Sequence, residues 1–306
     1  MPDTAAPSKP EAHGRRRLDP SELRNKTPKE LLTNALKSGL SGAMSMTIQV
    51  TSLMWMRTTI NSQYRYGGTI KDTLKRLYSE GGVRRFYRGY APALIQGPIS
   101  RFGDTFSNSL FIAFMEKNDF TRNLPIPVKT FGASLTAGLF RVLLTPVDTI
   151  KTTLQVEGAG GMKILGNKYR AGGVPVFYHG AMATWAATLV GHYPWFVTYN
   201  TLEKYLPVYT DKPRKLLRSA FMGFISSAIS DTCSNSIRVV KTTKQTNRDP
   251  ITYQQAVKMV IEKDGLLGLF GRGLKMKILT NGVQGLMFAV LWRFFEEKLG
   301  VKRTKS

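Results

Sequence analysis

Residues 146–153 read PVDTIKTT, and the same pattern occurs twice more, as SLMWMRTT at 52–59 and SIRVVKTT at 236–243. Each segment ends in a basic residue followed by two threonines. A second landmark follows each of them: GVRRFYRG at 82–89, GVPVFYHG at 173–180 and DGLLGLFGRG at 264–273. Six landmarks in the same order predict three tandem repeats of about 90 residues.

Apolar stretches flank the landmarks in every repeat. Before each first landmark the stretch contains small residues, with Gly39, Ala133 and Gly223 at the same repeat position. Small residues let membrane helices approach closely. After each second landmark, further apolar stretches cover roughly 90–115, 181–205 and 274–298. We therefore predict an all-α membrane protein with six transmembrane helices, arranged as three two-helix repeats.

Two segments between the landmarks have a different character. Residues 69–78 and 253–262 place apolar residues at helical spacing opposite a charged face, which predicts short amphipathic helices on one membrane surface. The resulting organisation is a polar, basic N-terminal tail over 1–26, repeats over 27–118, 119–206 and 207–300, and a basic C-terminal tail over 301–306.

The chain is strongly basic, with 44 Lys and Arg against 20 Asp and Glu and a net charge of +24. Nucleic acid, an anionic lipid surface or an anionic solute could each explain this excess. The basic residues alternate with six apolar stretches instead of grouping on one soluble face, which argues against nucleic acid. The sequence has no Cys/His cluster, P-loop or G-x-S-x-G motif, so we expect neither an enzyme nor a metal or cofactor site.

The segment Pro146-x-Asp148-x-x-Lys151 resembles the signature of the mitochondrial carrier family, and residues 82–89 resemble the family's glycine motif. The resemblance covers about residues 30–300. It implies six tilted helices around a central cavity in the inner mitochondrial membrane, with both termini toward the intermembrane space. It also implies alternating-access exchange of a small metabolite, with membrane lipids as partners and a lipid such as cardiolipin bound.

The same resemblance implies a matrix gate in which the acid of each motif pairs with the base of the next. Asp148 and Lys241 retain such a pair. Met54 cannot pair with Lys151, and Arg238 would lie opposite Arg57 in a repulsive contact. Unpaired charges out of water are costly, so we expect this gate to be weakly closed or held by other contacts.

The opposite gate of the family is degenerate in this chain. Its positions fall at Asn200 and Glu203 in the second repeat and at Arg293 and Glu296 in the third, and no acid-to-base pair is recovered. We interpret the chain as a divergent carrier.

Two ionisable groups lie one heptad before the motif positions, on the same helical face: Arg141 and Asp231. An ionisable group deep in a membrane span indicates a functional site, although the two could instead pair with each other and only join their helices. The family's contact positions fall near Gln96, Thr188 and Asn281, and Arg101 adds a charge at membrane depth. The bulk charge favours an anionic substrate, whereas these positions do not select one.

Two functions remain open from the sequence. The first is transport of a small metabolite across the inner mitochondrial membrane. The second, suggested by the altered gates, is a transport-inactive structural subunit of a larger respiratory complex in that membrane.

Overall fold

The structure is a computed structural model that describes residues 28–100, 132, 135, 138–209 and 211–298, with side chains described from Met44 onward. Every regular element in these ranges is a helix. The α-helices are α1 (Pro28–Tyr66), α2 (Ile70–Ser79), α3 (Gly82–Phe86), α4 (90–100), α5 (Thr145–Glu157), α6 (Gly161–Gly172), α7 (Ala181–Tyr205), α8 (Lys212–Thr246), α9 (Tyr253–Gly271) and α10 (Leu274–Lys298), with helical residues 138–143 before α5. Helix α9 is kinked at Gly265, and short 3₁₀ helices cover Gly158–Gly160 and Val174–Tyr178.

The apolar stretches predicted after the second landmarks are helical where the structure describes them. The predicted stretches 181–205 and 274–298 are α7 and α10, and the predicted stretch from 90 is helical to residue 100. Residues 101–115 of that stretch lie outside the described residues. By hydropathy, no helix in the described part of the chain is both long enough and apolar enough to cross a membrane.

The three first landmarks lie in long helices that differ in continuity. The helix of the second repeat is interrupted at Leu144, and α5 restarts with Pro146 in its first turn. Proline lacks the amide hydrogen that continues a helix and clashes with the preceding turn. Serine replaces it at Ser52 and Ser236, and α1 and α8 run through these positions unbroken. We call the end of the helices that holds residues 52–59, 146–153 and 236–243 the motif end.

The glycines of the second landmarks have backbone conformations that other residues rarely adopt. The first glycine of each landmark has a φ of 59°, 64° or 68°, at Gly82, Gly173 and Gly265 respectively. The last glycine has a φ of 80°, 94° or 67°, in the order Gly89, Gly180, Gly273. Only glycine takes these angles without steric cost. The landmark is therefore a pair of sharp turns that redirects the chain from a short helix into the next long one.

The last glycine of each landmark also touches the next repeat. A Cβ at Gly89 would lie 2.8 Å from the Lys151 carbonyl of α5, and one at Gly180 would lie 3.0 Å from Gln245 of α8. A Cβ at Gly273 would lie 2.8 Å from the Tyr64 ring of α1. The contacts run from repeat one to two, two to three and three to one, so glycine at this position lets the three repeats close into a ring.

The predicted amphipathic segments are helices with capped N-termini. Thr69 accepts a hydrogen bond from the Asp72 amide at the start of α2. Thr252 and Gln255 form a reciprocal capping box at the start of α9. Such caps satisfy amide groups that the first helical turn leaves without partners.

A hydrophobic cluster joins the first and third repeats at the motif end. Leu53, Met56 and Ile60 of α1 pack against Val239 of α8, Val260 of α9 and Met276 of α10. This contact places the polar faces of α1, α8 and α10 toward one cavity.

Candidate functional site

The long helices line a partly open cavity of about 370 Å³. Six of its lining side chains are cationic, and Asp148 is the single carboxylate among the described residues that line it. The six are Arg57, Arg141, Lys151, Arg238, Lys241 and Lys277. The cavity is therefore strongly basic where it is described, and its partly buried charges are screened less by solvent than fully exposed ones.

Asp148 is the centre of an ionic cluster at the motif end. Its carboxylate lies 2.6 Å from the Lys241 ammonium of the third repeat and 2.7 Å from the Lys151 ammonium of its own helix. Gln96 of α4 donates to the same carboxylate at 2.9 Å and accepts from Lys151 at 2.5 Å. The structure thus brings Asp148 and Lys241 together and places Gln96 in the ionic cluster.

In the first repeat, the position whose acid would pair with Lys151 is occupied by Met54, which is fully buried. It packs with Met46, Val50 and Ala93 in an apolar cluster between α1 and α4. A carboxylate at this position would be buried among apolar side chains without water, which is energetically costly. Lys151 therefore takes its carboxylate from its own helix instead of from the first repeat.

Arg238 and Asp231 contact each other along α8. An Arg238 guanidinium nitrogen lies 3.9 Å from the Asp231 carboxylate, which is buried, and Asn281 of α10 donates to that carboxylate. Asn281 in turn accepts from Lys277 at 3.1 Å. We expected Arg238 to repel Arg57. In the structure Arg238 has an acidic neighbour, Asp231, two turns earlier on α8.

Arg141 and Thr188 also meet in the cavity wall. Arg141 donates to the Thr188 hydroxyl at 3.4 Å, and Thr188 is buried. Arg141 is among the described residues that line the cavity, whereas Asp231, for which we also predicted a cavity position, is not.

The opposite gate positions lie in α7 and α10. Asn200 is exposed, and the backbone carbonyl of Glu203 accepts from Arg218 at 2.8 Å. Arg293 and Glu296 lie in α10, but their side chains fall outside the described part of the chain. Arg101 lies outside the described residues altogether.

A polar layer next to the ionic cluster was missed by our sequence reasoning. It consists of Asn61, Gln155 and Gln245, which occupy the same repeat position nine residues after Ser52, Pro146 and Ser236. Asn61 donates to Gln155 at 2.5 Å, and Gln245 donates to Thr149 at 3.1 Å. An amide-bearing side chain at one repeat position in all three repeats was the signal that could have identified this layer.

Three buried cations, Arg85, Lys168 and Arg272, make further contacts between neighbouring repeats. Arg85 donates to the carbonyls of Gln155 and Val156 at 2.8 and 2.6 Å. Lys168 donates to the Gln245 carbonyl at 2.9 Å, and Arg272 donates to the Arg65 carbonyl at 3.3 Å. Each cation reaches the C-terminal part of the next repeat's long helix, where the helix dipole favours positive charge. These contacts join neighbouring repeats at the motif end, where the altered motifs supply fewer ion pairs.

The buried Lys168 predicts a pH-dependent stability. Burial, reinforced by the nearby Arg65, lowers the pKa of Lys168 from 10.5 to about 8. The unfolded chain then binds more protons than the folded chain between these values, so the free energy of unfolding should rise with pH across that window. Lys168→Met should reduce the increase of stability with pH. The measurement is the melting midpoint of the detergent-purified protein at about pH 7.5 and about pH 9.5.

Lys163→Met is the matched control, because Lys163 is exposed on the same helix. The control should keep the pH dependence of the unsubstituted protein. An unchanged slope in Lys168→Met would show that Lys168 does not titrate in this window.

Comparison with known proteins places these features in a family. The sequence profile of the family described as mitochondrial carrier protein matches residues 27–119, 125–210 and 212–302. A mitochondrial carrier-like protein of Acanthamoeba polyphaga mimivirus is 25% identical over 173 residues, which are 56% of this chain and 65% of that protein.

Two further relatives are named as transporters. The mitochondrial glycine transporter of Saccharomyces cerevisiae is 30% identical over 139 residues, 42% of this chain and 44% of the transporter. The calcium-dependent mitochondrial ATP-magnesium/phosphate carrier protein 2 of Arabidopsis thaliana is 23% identical over 260 residues, 80% of this chain and 52% of that carrier. The matched segments thus span about half to two thirds of these relatives.

Proposed function

The chain belongs to the mitochondrial carrier family, and on this premise we propose that it exchanges a small anionic metabolite across the inner mitochondrial membrane. The observation that carries the proposal is the charge of the cavity, where six cationic side chains line the wall with one carboxylate among the described residues. An anion entering this cavity gains Coulomb energy that a neutral solute does not.

The solutes named for the relatives differ in how well they match this charge. Glycine is a zwitterion with no net charge at neutral pH, whereas phosphate is an anion. A cavity with a large excess of cations favours the second kind of solute. We propose an oxyanion, carboxylate or phosphate, as the substrate class.

The proposed gating element is the pair of Asp148 and Lys241. It joins the second and third repeats at 2.6 Å, so the motif end can open only when this pair separates. The polar layer and the three inter-repeat cations would have to release in the same step. Separating a buried ion pair is costly, which fits a carrier that opens this end only when solute binding offsets the cost.

The charge distribution supports an orientation. Between Arg57 and Arg88 the sequence has eight basic and two acidic residues. Basic segments next to membrane spans remain on the inner side. We propose that the motif end faces the matrix and that both termini face the intermembrane space.

The proposal is tested by solute exchange in liposomes. Purified full-length protein, reconstituted with internal phosphate or succinate, should exchange it for the external labelled anion. Internal and external glycine should not exchange, because a zwitterion does not neutralise the cavity. Protein-free liposomes provide the leak control.

Failure of every anion to exchange, with protein that still melts cooperatively, would overturn the transport proposal. It would favour a transport-inactive subunit of a larger membrane assembly, which would then be expected to migrate with that assembly on native gels.

A further inference from the structure

Two junctions of the motif end differ in the chemistry that joins them. Between the second and third repeats, the Asp148 carboxylate and the Lys241 ammonium lie 2.6 Å apart. Between the first and second repeats, the acid position holds Met54, which carries no charge and cannot pair with Lys151. The first-repeat group that Lys151 does contact is Gln96 of α4, which accepts from the ammonium at 2.5 Å.

Gln96 contacts both charges of the second-repeat motif at once. Its amide nitrogen donates to the Asp148 carboxylate at 2.9 Å, while its amide oxygen accepts from Lys151. The two charged groups are themselves 2.7 Å apart, so the three side chains form a closed ring of contacts. A side-chain amide carries donors and an acceptor on one planar group. It can therefore hold an anion and a cation at the same time, and we call this contact the amide bridge.

The bridging amide is particular to the first repeat. Gln96 is seven residues after the last glycine of its landmark, and the same position in the second and third repeats holds Ala187 and Thr280. Alanine has no polar side-chain atom, and the Thr280 hydroxyl donates to the Met276 carbonyl of its own helix at 2.7 Å. The amide thus occurs in the repeat whose acid position is the apolar Met54.

The amide bridge connects helices that belong to different repeats. Gln96 lies on α4 of the first repeat, and its two partners lie on α5 of the second. Separating these repeats at the motif end breaks both contacts, and hydrogen bonds to charged groups are stronger than those between neutral ones. After the separation Asp148 and Lys151 still have each other at 2.7 Å. Opening this junction therefore leaves neither charge unpaired, which keeps its cost below that of separating a buried ion pair.

We infer that Gln96 is a positioning residue of the motif-end gate, where it replaces the missing first-repeat acid and joins α4 to α5 through Asp148 and Lys151. This inference rests on the proposed function, because it assigns a second component to the gate proposed there. The second junction is then closed by an ion pair and the first by the amide bridge. Gln96 also lines the cavity, so this component of the gate lies where a solute can reach it.

The first test measures the amide bridge in the detergent-purified full-length protein, without transport. Gln96→Leu removes both hydrogen bonds at similar volume and should lower the melting midpoint by about 5 °C. The same change at Gln254, which is exposed on α9, should leave the midpoint unchanged. In a Lys151→Met background, Gln96→Leu should lower the midpoint by about half as much, because one of its two contacts is already absent. Equal losses in both backgrounds would overturn the bridge.

The second test separates a role in the gate from a role in folding. Liposomes loaded with labelled phosphate or succinate are diluted into buffer with or without the same anion outside. Gln96→Leu should raise the ratio of efflux without external anion to exchange by at least about threefold, because the motif end then opens without bound solute. A residue that only supports folding would lower both fluxes together. An unchanged ratio, with exchange by the unsubstituted protein, would overturn the gate role.

A second variant keeps the tests decisive if Gln96→Leu does not fold. Gln96→Glu can still accept from Lys151, and its carboxylate offsets the one additional cation among Asp148, Lys151 and Lys241. It should melt at or above the midpoint of the unsubstituted protein without a higher efflux ratio. A lower midpoint would contradict the pairing of Gln96 with Lys151. Absence of exchange by the unsubstituted protein would overturn the proposed function and with it the gate role, whereas the melting cycle would still decide the amide bridge.

Discussion

Replacing Asp148 with asparagine is expected to abolish anion exchange and to lower the free energy of unfolding by about 3–5 kcal/mol. The carboxylate contacts the ammonium groups of Lys151 and Lys241 at 2.7 and 2.6 Å, and the side chains of all three are at least 83% buried. The neutral amide would leave two lysines close together without their anion. A melt of the detergent-purified variant measures the loss of stability, and liposome exchange measures the loss of transport.

Two other substitutions make this prediction specific. Lys241→Gln should cost less stability, since Asp148 retains Lys151 at 2.7 Å. Asp211→Asn should change neither quantity, since the Asp211–Arg214 pair is exposed and 3.7 Å apart. Combining Asp148→Asn with Lys241→Gln should lose less stability than the sum of the single changes, because the two groups contact each other. Additive losses would show that Asp148 and Lys241 do not form a pair in the purified protein.

Replacing Arg85 with methionine is expected to lower the free energy of unfolding by on the order of 3 kcal/mol, because charge-assisted hydrogen bonds are lost in a buried site. Arg85 is 5% exposed and donates to the carbonyls of Gln155 and Val156 and to Glu80. Methionine fills a similar volume but leaves both carbonyls without a donor. The measurement is the melting midpoint of the detergent-purified variant.

Arg84→Met is the control for this change. Arg84 precedes Arg85 in the same short helix and is exposed. The control should therefore have the same melting midpoint as the unsubstituted protein. Arg85→Lys should recover part of the loss, since one ammonium cannot reproduce the fork of a guanidinium. If Arg84→Met and Arg85→Met melted alike, the contact of Arg85 with α5 would contribute nothing to the motif end.

The two predictions concern different kinds of contact, one between side chains and one between a side chain and the backbone. Asp148 belongs to a motif that sequence comparison detects, whereas Arg85 acts through backbone carbonyls that any residue could supply. When a cation donates to backbone carbonyls, its partner can be any residue type, so the sequence does not identify that partner. This explains why our sequence reasoning left open what holds the motif end.

The resemblance to the family implied that Asp148 pairs with Lys241, and the structure brings the two side chains to 2.6 Å. Spacing predicted a cavity-facing position for Asp231, but Asp231 contacts Arg238 and Asn281 and is not among the described residues that line the cavity. Choosing among several cations requires the relative rotation and height of three helices, and a shift of a few ångströms changes the partner.

The threefold repeat, the all-helical architecture and the family follow from the sequence alone, and the family assignment is confirmed by the profile match over all three repeats. These properties are periodic and local: the landmark spacing, the helical stretches and the glycines that turn the chain depend on neighbours along the sequence. Only the tertiary structure decided which further groups hold the motif end, because partners such as Arg85 and the Gln155 carbonyl are 70 positions apart in the chain. Their separation in space depends on how whole helices pack, and a charge-assisted hydrogen bond forms only within a narrow range of that distance.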